Sequence, residues 1–247
     1  MVINLEKRAE LVDHLAELRT RLMRVALYVV VGAVVAWFLY EPFIYKWLTR
    51  PMYPILAAQN TKFMFTSIMQ PFMLRMQVCT IAGLILVLPL VTIEVWGFIA
   101  PGLRNNERKP LKWVIPLSIV LFVAGVALAY TILPWGFRWF SHYIPANAEI
   151  RPSVPDTMKF VMLMLLAFGV VFELPVFLML LAQVGVIDSK MLKTNWRYWV
   201  IGISVAAAII CPSNDVMSMM AMAVPLLILY AASIQLVKFV EKKPNRD

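Results

Sequence analysis

The sequence predicts an all-α, polytopic membrane protein with six transmembrane helices. Three observations predict it. Hydrophobic residues make up 62% of the chain and charged residues only 15%, against about 45–50% and about 25% in soluble domains. The mean hydropathy is +0.77. The charges that remain are sorted into the segments between long apolar runs, and this sorting separates a membrane protein from a soluble one with a large core.

The elements follow in chain order. Residues 1–23 read as an amphipathic helix on the cytoplasmic side. Leu11, Leu15, Leu18 and Leu22 recur at helical spacing and form one apolar face. Glu10, His14, Glu17 and Arg21 share another. This charged stretch lacks the apolar centre of a cleavable signal peptide. Six spans then occupy about 24–237, at roughly 24–41, 74–98, 113–133, 156–183, 198–211 and 216–237. A straight helix needs about 20 apolar residues to cross the hydrocarbon layer, so the fifth run is short. Residues 238–247 form a charged tail, and the whole of 1–247 reads as one membrane domain.

Loop charge sets the expected orientation. Lys7, Arg8, Arg19, Arg21 and Arg24 precede span one; Arg104, Arg108, Lys109 and Lys112 follow span two. Lys190, Lys193 and Arg197 follow span four, and Lys238, Lys242, Lys243 and Arg246 follow span six. The opposite side carries fewer basic residues, so both termini are expected in the cytoplasm. Two long outer segments, about 42–73 and 134–155, are rich in Pro, Trp and Tyr. They read as ordered caps at the outer interface, where Trp and Tyr concentrate. Pro89, Pro116, Pro175 and Pro225 interrupt apolar runs. Each bends its helix and frees a carbonyl, so the bundle is expected to curve.

Glu173 stands alone inside the fourth apolar run. A charged carboxylate at the bilayer centre costs about 2.5–3.5 kcal/mol on insertion scales. It is read as a functional polar contact, beside the alternative of a protonated carboxyl satisfied by a neighbouring helix. Glu94 is a second candidate for an intramembrane polar contact, near enough to the end of span two to snorkel toward water. Asp215, at the start of span six, suits a helix N-terminus. On the cytoplasmic side Asp13 and Glu17 stand one turn apart and repel each other mildly, which a cationic ligand would relieve. The same spacing also fits an ordinary solvated face in which Glu17 pairs with Arg21. Glu107 is the acidic residue of a loop otherwise basic.

Other chemistry is poorly served. Cys79 and Cys211 form no CxxC or metal-ligand pattern, and His14 and His142 fall on opposite sides of the membrane. No metal, cofactor or redox centre is expected. No protease or hydrolase motif and no phosphate-binding GxxxxGK[ST] loop occurs, so catalysis is not expected. The net charge of +9 lies in membrane-flanking loops, which does not point to nucleic acid. The competing class is a proton- or ion-coupled secondary transporter with Glu173 as its ion site. Such folds carry internal repeats, and the only echo here is Leu88-Pro89-Leu90 against Leu174-Pro175-Val176.

Four segments carry a resemblance. His14-Leu15-Ala16-Glu17-Leu18-Arg19-Thr20-Arg21-Leu22 resembles the HLxELRxRL signature that opens the TatC family. Phe98-Ile99-Ala100-Pro101-Gly102-Leu103 followed by Glu107-Arg108 is similar to that family's first cytoplasmic loop. Phe168-Gly169-Val170-Val171-Phe172-Glu173-Leu174-Pro175-Val176 resembles its fourth span, and Cys211-Pro212-Ser213-Asn214-Asp215-Val216 its last outer turn. They occur in family order across nearly the whole chain. The resemblance implies a curved, glove-like bundle with both termini cytoplasmic, in a bacterial inner membrane. It implies a receptor for twin-arginine signal peptides of folded precursor proteins, with Glu17, Arg19 and Glu107 at the peptide site. It further implies a multimeric complex with the single-span partners TatA and TatB, and places Glu173 on the concave side toward partner helices. Three positions depart from the common pattern: the outer stretch Thr66-Ser67-Ile68-Met69-Gln70-Pro71-Phe72, Met219 in place of a usual Gln, and Ala231 in place of a frequent Glu. The last two remove polar contacts from span six.

Overall fold

The computed structural model describes residues 2–99, 111–145, 147–148, 151–183, 185–210 and 216–240. Among them the secondary structure is helical, apart from one isolated bridge between Met64 and Ser153. Helix α1 (Val2–Leu39) runs without interruption from the charged N-terminal segment through the first span. The expected boundary near residue 24 is therefore no break: nothing between Arg21 and Val30 interrupts helical hydrogen bonding, and the change from charged to apolar is one of environment alone. The leucine face does not pack on the bundle. Leu15, Leu18 and Leu22 are exposed and continue into the exposed row Leu27, Val30, Val31 and Val34.

The first outer segment begins with a π-helical turn (Tyr40–Ile44), followed by α2 (Tyr45–Thr49), a 3-10 turn (Arg50–Met52) and α3 (Tyr53–Ala58). It is an ordered cap. Trp47 stacks on Tyr130 with ring centroids 4.1 Å apart, and the Tyr130 hydroxyl donates to the Trp47 carbonyl at 3.0 Å. The two outer segments meet at the bridge, where Met64 N–H donates to Pro152 O and Val154 N–H to Met64 O.

The second and third spans are α4 (Gln70–Ile99) and α5 (Leu111–Ser141), both longer than their apolar runs. The fourth span is two helices, α6 (Val154–Val171) and α7 (Leu174–Gln183). Pro175 causes the break: it has no N–H to give Val171, and its ring crowds the preceding turn. Phe172 and Glu173 occupy the gap, and Phe177 N–H takes up the Glu173 carbonyl at 2.9 Å. Pro89, Pro116, Pro134 and Pro225 lie inside continuous helices. A short α8 (Ser189–Thr194), N-capped by the Asp188 carboxylate, leads to α9 (Trp196–Ile210) and α10 (Val216–Val240). Asp215 and the turn before α10 lie outside the described residues.

Among the described residues five helical runs are long and apolar enough to cross a membrane, and Trp196–Ile209 is a shorter apolar helix. At 1.5 Å per residue α9 spans roughly 22 Å, against a hydrocarbon layer of about 30 Å. The core centres on α6, whose Met158, Val161, Met162, Leu165 and Phe168 are almost fully buried. Helices α1 and α4 run antiparallel and touch at glycine: a Cβ on Gly32 would meet the Gly83 carbonyl oxygen at 2.7 Å. Close backbone approach at small residues is how spans pack where lipid removes the hydrophobic drive.

Candidate functional site

The N-terminal part of α1 and the C-terminal end of α4 carry a network of charge. Glu17 and Arg21 are one helical turn apart, so both face α4. Arg21 donates to Glu17 Oε1 twice, from Nε at 2.9 Å and Nη2 at 2.7 Å. Its third nitrogen, Nη1, donates to Glu94 Oε2 at 2.9 Å and to the Glu94 carbonyl at 3.3 Å. One guanidinium thus ties two carboxylates on two helices. Glu94 Oε1 receives the Tyr28 hydroxyl at 3.3 Å and lies 3.6 Å from Arg24 Nη1.

The network is shielded by degrees. The side chain of Glu17 is 33% exposed, that of Arg21 22% and that of Glu94 11%. Glu94 does not snorkel to water. It is covered because it faces α1, where two arginines and a tyrosine satisfy it. Gly97, almost one turn further along α4, makes the seat for Arg21, since a Cβ there would overlap the guanidinium. His14 closes the upper end, stacked on Phe98 with centroids 4.3 Å apart, and its Nδ1 stands 3.9 Å from Glu17 Oε2. Among the described residues Glu17 Oε2 accepts no hydrogen bond.

Arg19 is not part of this network. Two residues on a helix lie roughly 200° apart, so Arg19 projects away from the Glu17 face, and it is exposed. Glu107 and the loop around it lie outside the described residues, as do the side chains of Glu10 and Asp13.

Glu173 occupies a second site on the other side of α4. The helix break leaves it beside Ser118 of α5, whose hydroxyl donates to Oε2. Ser118 is fully buried. The remaining oxygen, Oε1, is buried with no hydrogen-bond partner among the described residues. Glu173 lines a groove of about 290 Å³ with Val91, Val95 and Trp96 of α4 and Val176 and Phe177 of α7. Its walls are apolar, so this carboxyl is the acidic group a helix laid there would meet.

Sequence reasoning found Glu17, Glu94 and Glu173 but missed Arg21 as the link, Gly97 as its seat and Ser118 as the partner of Glu173. The Arg21 spacing from Glu17 was in plain sight. Its bond to Glu94 spans 73 residues and has no local signal. The described residues contain no group of three or more His, Cys, Asp or Glu able to hold a metal ion.

The chain matches the family model described as Sec-independent protein translocase protein (TatC) over residues 13–225. The Sec-independent protein translocase protein TatC of Xylanimonas cellulosilytica is 34% identical, over 97% of this chain and 87% of that relative. Its counterpart in Desulforapulum autotrophicum is 35% identical, over 98% and 89%. A chloroplastic TATC of Oryza sativa subsp. japonica is 34% identical, over 94% of this chain and 64% of its own length. A crystal structure of the twin-arginine translocase receptor TatC superposes with a TM-score of 0.78 at 30% identity, covering 92% of this chain and 99% of that one.

Proposed function

Because the chain belongs to the TatC family, a family of non-enzymatic, multi-span components of the twin-arginine protein translocase, we propose that Glu17 and Glu107 receive the paired arginines of the signal peptide. Glu17 carries the reading, because its carboxylate already grips a guanidinium through two N–H donors. A planar fork of donors matches a carboxylate in a way that the point charge of lysine cannot. Glu107 is assigned from the family motif alone. Arg19, exposed on the far face of α1, is proposed to contact the bound signal peptide away from its paired arginines. Family membership favours this receptor over an ion-coupled transporter.

Magnitudes divide the work between charge and apolar contact. Charge-assisted hydrogen bonds contribute about 1.5–3 kcal/mol each. Two of them reach at best about 6 kcal/mol, short of the roughly 8 kcal/mol that micromolar binding requires. The shortfall is assigned to the apolar segment of the signal peptide, laid along the groove beside Glu173. The same groove suits the single spans of TatA and TatB-like partners, for which Glu173 Oε1, without a hydrogen-bond partner among the described residues, is a ready acceptor. The setting proposed is a bacterial cytoplasmic membrane, with both termini in the cytoplasm and export driven by the proton gradient.

The test is site-specific crosslinking of a twin-arginine precursor to positions beside Glu17 and Glu107, with binding measured for Glu17→Ala. Removing one charge-assisted contact weakens a twin-arginine peptide by roughly tenfold or more and a twin-lysine peptide far less. Equal losses for the two peptides would refute the fork-to-carboxylate account.

A further inference from the structure

The acceptor proposed for an incoming arginine is already filled by an arginine of the chain itself. Arg21 holds Glu17 Oε1 with two nitrogens and Glu94 with the third. We propose that Arg21 is an internal competitor for Glu17, displaced by the signal arginine and held by Glu94 while it is displaced. The inference rests on the reading of Glu17 as a peptide-binding carboxylate and adds how that carboxylate chooses its ligand.

The geometry supplies each stage. The Glu17 side chain is one-third exposed and its Oε2 accepts no hydrogen bond among the described residues, so an arriving guanidinium engages it first. Oε1 then has two guanidiniums to choose from. Arg21 leaves Oε1 without being cast loose, because its Nη1 stays on the Glu94 carboxylate and carbonyl. Glu94 is suited to holding it, being the more buried of the two acids and fixed by Tyr28 and Arg24 from the other side. Gly97 leaves the room in which the guanidinium sits.

The competitor also explains selectivity. Glu17, Glu94, Arg21 and Arg24 sum to zero formal charge, so the empty site offers little to a cation in general. A ligand must outbid a fork-shaped pair of hydrogen bonds on Glu17, and only another guanidinium presents the same fork. Lysine meets the charge but not the geometry. Discrimination between two ligands is often built by penalising the wrong one, and here the penalty is a rival already in place.

The experiment uses the full-length protein in lipid nanodiscs and measures binding of a twin-arginine signal peptide and its twin-lysine analogue. Arg21→Gln is expected to tighten the twin-arginine peptide by roughly fivefold. The twin-lysine peptide tightens more, so the ratio of the two dissociation constants falls. Arg21→Lys keeps the charge but not the fork, and shows the same fall in smaller measure. Gly97→Ala crowds Arg21 first at Nη1, the nitrogen on Glu94, without removing any charge, and is expected to change the ratio, which guards against a folding defect in Arg21→Gln. Thermal melting of each variant reports folding separately. An unchanged ratio in Arg21→Gln and Gly97→Ala, with both folded, overturns the competitor. Unaltered binding in Glu17→Gln instead overturns the underlying assignment of Glu17, so the two failures are distinguishable.

Discussion

A carboxylate in lipid is tolerable only with a partner, and the two intramembrane acids of this protein solve the problem differently. Glu94 is paired on both oxygens with groups of α1. Glu173 has a serine on one oxygen and nothing among the described residues on the other. The first arrangement is complete and joins two helices; the second leaves an acceptor unused at the wall of a groove. Ser118→Ala strips Glu173 of its one hydroxyl donor and is expected to lower stability by about 1–3 kcal/mol, the usual penalty for an unsatisfied buried polar group. A thermal melt in detergent measures it. Glu173→Ala is expected to leave twin-arginine peptide binding within about twofold, since Glu173 lines the other side of α4 and shares no partner with Glu17. It lowers the yield of crosslinks from the groove to partner helices. Glu173→Gln keeps a hydrogen-bonding amide and is milder. If Gln proves as damaging as Ala, ionisation of Glu173 matters more than its hydrogen bonding.

At the scale of elements, α1 and α4 act as one unit, pinned at three heights. Arg21 and Glu94 join them at one end, and Gly32 against Gly83 brings them together mid-span. At the outer end the Arg75 guanidinium lies over the Trp37 ring at 4.3 Å and donates to the Trp37 carbonyl at 3.1 Å. The glycine contact decides whether the ends can meet, because a helix pair forced apart in the middle cannot close its ion pairs. Gly83→Val is therefore expected to destabilise by about 1–3 kcal/mol through overpacking and to weaken peptide binding from a distance. Substituting an exposed lipid-facing residue of α1 such as Val34→Leu serves as the control and should change neither. Equal behaviour of the two variants would show that the crossing is not what aligns Arg21 with Glu94.

Across the whole molecule, loop charge sets the expected membrane orientation. The basic segments expected in the cytoplasm come together in part: Lys193 on α8 lies beside Lys238 at the end of α10, and that second lysine holds the Lys193 ammonium below the usual lysine range. The outer side is capped instead by aromatic packing, with Trp47 on Tyr130 and Trp139 against Tyr143. The orientation has a direct check. In a Cys79→Ala/Cys211→Ala background, a cysteine at Asn60 is expected to react with an impermeant maleimide from the outside of intact cells. A cysteine at Lys190 reacts only after permeabilisation. The reverse pattern would place the Glu17 network on the wrong side to meet a cytoplasmic precursor.

The sequence by itself determined the all-helical membrane class, the short fifth span and the acids worth attention, because these depend on hydrophobic run length and on the transfer energy of single side chains. Both are local properties. It also carried the family, through four motifs whose order survives in the chain. The tertiary structure alone decided that α1 continues unbroken through its change of environment, that Glu94 turns inward to α1 instead of out to water, and that Glu173 sits in a helix break facing Ser118. It alone showed that Arg21, whose pairing with Glu17 the spacing already offered, reaches Glu94 as well. Those facts depend on which helix lies against which. That choice is made by close contacts such as Gly32 on Gly83, between residues far apart in the chain, and no local pattern encodes it.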